Sequence, residues 1–87
     1  MKTLTKKDIN IALNHDFDSN AILVLPNCYI ELCPPKSNPY DKYIYYMKEL
    51  RMNYNVNIDG MQPQIWVIDE DFTLQDLLKK YIKIRCN

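Results

Sequence analysis

The chain has 87 residues, eleven basic and eleven acidic side chains, and nearly half its residues apolar. That is one domain (1–87) with a small core, and it is too apolar for a disordered tail. The interspersed charge excludes both the broad basic face of a typical nucleic-acid binder and the dense acidic surface of a DNA mimic.

Thr5 followed by Asp8 resembles a helix-capping signal, and Ile9, Ala12, Leu13 and Phe17 then recur on one helical face. The pattern predicts a first helix over 6–15, ended by the Asp16–Asn20 stretch. Ala21 to Leu25 is a continuous apolar run, the pattern of a strand buried on both faces. Pro26-Asn27 interrupts it before Cys28–Cys33, so 21–33 reads as a hairpin or as one strand kinked at Pro26. Pro34 to Pro39 reads as a loop.

Asn38, Pro39 and Asp41 resemble a helix start, and Tyr40, Tyr43, Ile44, Met47 and Leu50 fall at helical spacing. These predict a second helix over 39–52, with Tyr45 and Met52 off its core stripe. From 53 to 68 the period changes to two. Tyr54, Val56 and Ile58 alternate with asparagines and Asp59, and Asp59-Gly60 is a strong hairpin-turn dipeptide. A two-residue loop pairs Ile58 with Met61, and a four-residue loop pairs it with Pro63. Pro63, which has no N–H to give, favours the longer loop or an edge strand. Thr73 with Asp76 again resembles a cap, ahead of a stripe of Leu74, Leu77, Leu78 and Tyr81, so a third helix is expected over 74–82. Residues 82–86 alternate and read equally as a terminal strand. The expected fold is α+β: an antiparallel sheet packed by about three helices.

The chemical motifs are incomplete. Asn55, Asn57 and Asp59 imitate half of a calcium loop, but the first ligand would be an amide and the last position holds Trp66. Cys28, Cys33, Cys86 and His15 have the residue types of a zinc site without a second paired motif. The lone His15 reads as a helix C-terminal dipole contact rather than a catalytic base. One glycine cannot build a phosphate cradle. Asp69-Glu70-Asp71 reads as a solvated acidic run that favours the helix start after it. The chain therefore reads as non-enzymatic, with no cofactor and no metal.

What remains is recognition. Trp66, Tyr45, Met52, Asn55 and Asn57 are the candidate partner-binding residues, because exposed Trp, Tyr and Met are enriched at protein interfaces. The alternative is a nucleic-acid module with Tyr and Trp stacking on bases and Lys79, Lys80, Lys83 and Arg85 on phosphate. A third reading is a homodimer formed along the sheet edge. Lysines outnumber arginines nine to two, and Asn, Ile and Tyr are abundant, which points to an AT-rich gene. That bias suggests a phage or mobile-element protein that inhibits a host protein, such as a defence system or CRISPR effector. The polar N-terminus and the absence of a long apolar run suggest a cytoplasmic protein with no membrane contact.

Overall fold

The structure is a computed structural model that describes residues 4–18 and 21–81. Its frame is a four-stranded antiparallel meander: β1 (Ile22–Val24), β2 (Tyr29–Cys33), β3 (Ile44–Asn55) and β4 (Gly60–Asp71), in the order β1-β2-β3-β4. Two helices, α1 (Lys6–Leu13) and α2 (Leu74–Lys79), accompany it, and Pro35–Ser37 form a single 3-10 turn.

The helices expected over 6–15 and 74–82 start where the sequence predicts but end sooner, at Leu13 and Lys79. The Thr5 hydroxyl accepts from Asp8 N at 3.1 Å while the Asp8 carboxylate accepts from Thr5 N, a complete capping box. Thr73 caps α2 by accepting from Asp76 N at 3.1 Å. Leu77, Leu78 and Tyr81 are buried. Residues 82–86, with their open helix-or-strand assignment, lie outside the described residues.

The expected second helix is the main correction. Residues 44–55 are strand β3, so among the described residues two short helices accompany the sheet rather than about three. The capping residues ahead of it serve a loop instead. Asn38 Oδ1 accepts from Tyr40 N at 2.9 Å, and its amide donates to Pro34 O and Lys42 O at 2.8 and 2.7 Å. Asp41 then takes a left-handed φ of 56°, which no helix start tolerates. Past that loop, β-branched and aromatic residues and the Leu50, Met52, Tyr54 alternation favour a pleated strand. Ile44 and Met47 are both buried, yet three residues apart on a strand they face opposite sides.

The sheet has two unlike faces. Residues directly opposite each other share a face. Leu23, Ile30 and Met47 therefore line up across three strands, and they pack with Leu25, Ala12, Leu77, Leu78 and Tyr81 as the core. Both helices lie on this face. The run 21–25 is thus buried on one side only: Leu23 and Leu25 point inward, while Ile22 and Val24 are exposed. The 21–33 segment is a hairpin, its turn closed by Leu25 N donating to Cys28 O at 2.9 Å.

The 53–68 hairpin exists, but it is longer and differently registered. Asn55 faces Gly60, and Val56 to Asp59 form the four-residue loop. Tyr54 pairs with Met61, Met52 with Pro63 and Leu50 with Ile65. Val56 and Ile58 sit exposed at the tip rather than turned inward. Only Asp59 takes a positive φ, 49°, whereas Gly60 does not. The nearest atom to a Cβ placed at Gly60 would be Ile58 O at 3.8 Å, so this turn does not require the glycine.

Candidate protein-contact surface

β3 and β4 run 12 residues each, ~40 Å at the usual strand rise. The eight residues of α1 span ~12 Å and the six of α2 ~9 Å. The helices are too short to cover the strands. β2 also stops at Tyr29, opposite Lys48, so beyond that row β3 and β4 continue as a two-stranded arm. A bulge marks the root: Met47 faces Asp69 and Lys48 faces Val67, which leaves Ile68 as the extra residue on β4. Ile68 packs against the core, and the arm starts at Val67.

The two faces of the arm differ in chemistry. On the helix side lie Glu49, Arg51, Asn53 and Asn55 of β3 with Trp66, Gln64 and Gln62 of β4. This face is satisfied from within. The Arg51 guanidinium sits 5.1 Å from the Trp66 ring centroid and donates to Glu49. Asn53 donates to Gln64 Oε1 at 2.8 Å and Asn55 donates to Gln62 Oε1, both diagonal cross-strand bonds.

On the other face the rows are Leu50/Ile65, Met52/Pro63 and Tyr54/Met61, with Val67 beside Lys48 at the root. Leu50, Met52, Tyr54, Met61, Ile65 and Val67 are each between 52 % and 63 % exposed. No charged side chain interrupts the stripe. At its tip the Tyr54 hydroxyl donates to Asp59, which holds the phenol above its ordinary pKa. At its root Lys48 contacts Glu31 at 2.6 Å. Burial pulls that ammonium down, but Glu31 more than offsets it and holds the lysine above its ordinary value.

The expected contact residues divide between these surfaces. Met52 lies in the apolar stripe. Trp66 lies on the opposite, polar face with Asn55, whose side chain also accepts from Asn57 N at 2.9 Å in the loop. Tyr45 belongs to neither. It is half-buried, packs against the core, and meets Phe17 edge-on at 5.3 Å. Its place off a helical stripe disappears with the helix. Leu50, Tyr54, Met61, Pro63, Ile65 and Val67 are not among the candidates, because helical spacing assigns Leu50, and alternation the others, to a core. The signal that could have found them is the polar–apolar alternation from Glu49 to Asn53, which extends the strand back into the expected helix.

The remaining chemistry-bearing residues are structural. Asp69 accepts from the Tyr81 hydroxyl at 2.8 Å and from Lys80 at 3.0 Å, and Lys80 also meets Asp71 at 3.2 Å. Glu70 accepts from the Tyr40 hydroxyl at 3.2 Å. The acidic run is thus the end of β4, tied to α2 and to the Tyr40 loop. Burial raises the Asp69 pKa, but the Tyr81 hydroxyl, Lys80 and Glu70 N–H outweigh it and hold the carboxyl below its ordinary value. The same contact pushes the Tyr81 phenol well up, after burial as the larger cause. Burial, then Asp8 and Glu49, raise the Cys28 thiol, which favours the protonated form over a nucleophilic thiolate. Cys33 is buried, its thiol directed at Pro34 O and Ser37 O. Among the described residues no His, Cys, Asp and Glu group is arranged to hold a metal ion, and no helix is long and apolar enough to cross a membrane. Lys79 is exposed on α2, while Lys83, Arg85 and Cys86 lie outside the described residues.

Compared with protein families, characterised proteins and solved structures, the chain matches none.

Proposed function

We propose that the chain is a non-enzymatic protein-binding module whose contact surface is the apolar face of the β3–β4 arm. One observation carries this reading: the chain's own helices leave a continuous, uncharged stripe from Leu50 to Val67 bare. With six apolar side chains exposed at these fractions, its area is on the order of 700 Å², above the ~300–600 Å² of the largest patch on an ordinary monomer. Large patches of this kind mark sites that another protein covers. Inhibition of a host protein by a mobile-element gene product is the specific form that the composition bias adds to this reading.

The nucleic-acid alternative draws less support. Of its four cations Lys80 is held by Asp69 and Asp71, and the apolar stripe offers no Lys or Arg where phosphate contacts need them.

A photo-reactive side chain at Met52, compared with one at Lys79 on α2, tests the reading in extract of the cell that makes the chain. Protein adducts from position 52 and few from position 79 are expected. The absence of protein adducts from position 52 overturns the proposal.

A further inference from the structure

We infer that the protein covering the apolar face of the arm is a second copy of this chain, packed face to face about a two-fold axis with the two arms antiparallel. This rests on the protein-contact reading of the same face and names its occupant. Three observations support it.

The first is area. A stripe on the order of 700 Å² is close to the ~800 Å² that each partner of a standard interface contributes. Homodimer interfaces are also the more apolar class, and no charge lies within this stripe. The second is self-complementarity. In a two-fold interface every residue meets its own surface patch, so a charged patch would oppose like charges. With the arms antiparallel, the Leu50/Ile65 row of each copy meets the Met52/Pro63 row of the other without that cost.

The third is the placement of charge beyond the root. Glu31, Tyr46 and Glu70 share a row on this face just beyond the root, beside the Lys48–Glu31 pair. Parallel arms would bring the two copies' carboxylates together. Antiparallel arms separate them and set the Tyr54/Met61 row of one copy on the Lys48/Val67 row of the other. The axis passes between the Leu50/Ile65 and Met52/Pro63 rows. The polar face, with Trp66 stacked on Arg51, remains outward.

Light scattering of the full chain over a wide concentration series tests this. The expected result is a monomer–dimer equilibrium that stops at two copies. Leu50→Glu and Ile65→Glu should each shift it to monomer, while Ile11→Glu, on the exposed side of α1, should not. Far-UV circular dichroism confirms that the variants fold. A photo-reactive side chain at Tyr54, which leaves the stripe apolar, should join to the partner copy near Val67. A chain that stays monomeric at every concentration overturns the inference. So does a dimer that both glutamates leave intact, or open-ended assembly along the free edge of β4. Adducts from Met52 to a different protein, with a monomeric chain, remove the second copy and leave the protein-contact reading standing. No protein adduct at all removes both.

Discussion

The two halves of the β3–β4 hairpin obey the same alternation and have opposite surroundings. Near the body, Met47 on β3 faces the core with Ile30 and Leu23 and is almost fully buried. A few residues on, Leu50, Met52 and Tyr54 repeat the pattern on the other face with nothing above them. An apolar side chain in the body is part of folding. The same type of side chain on the arm contributes little to folding, because it stays exposed. Burial rather than residue type separates the two roles, and at roughly 25 cal/mol for each Å² removed from water the difference is large.

Three substitutions sharpen that contrast. Leu77→Ala, at a fully buried position on α2, should lower stability by about 2–5 kcal/mol in thermal or urea unfolding. A smaller loss would mean that the body is as loosely covered as the arm. The tie between α2 and β4 has a pH signature. Its folded Asp69 lies below the ordinary carboxylate value, so its contribution is full above that value and disappears as pH falls through the lower, folded one. Asp69→Asn should therefore give a protein that is less stable near neutrality and whose stability falls less steeply in acid. Equal acid slopes for the two proteins would show that the contact with Tyr81 and Lys80 contributes nothing. On the arm, Ile65→Ser should change stability by under about 0.5 kcal/mol, at a concentration where the chain is monomeric. A loss comparable to that of Leu77→Ala would place the arm within the core.

Much of the body was legible because its signals are local. The Thr5–Asp8 box and the Thr73 cap act within one turn, and the Leu74, Leu77, Leu78 and Tyr81 stripe keeps its meaning wherever the helix docks. Residues 39–52 misled for the same reason. Asn38-Pro39 and a chance 3.6-residue recurrence imitate a helix, while the period-two run Glu49 to Asn53 argues for a strand. Asp41 in a left-handed conformation and pairing to β2 and β4 decided the matter. The turn lies at Val56–Asp59, ahead of Gly60 rather than around it, which is why Val56 and Ile58 lie in the loop.

By itself the sequence determined the starts of α1 and α2, a turn near Asp59 and the inward stripe of α2, because caps and periodicity act over a few residues. It named Met52 and Trp66 as exposed but could not place them on opposite faces of one arm. Only the tertiary structure decided which apolar face the helices cover. Both helices dock on the Met47 face, so the opposite face of the arm, with Leu50, Met52 and Tyr54, is left bare, and that choice depends on contacts between residues far apart in the chain.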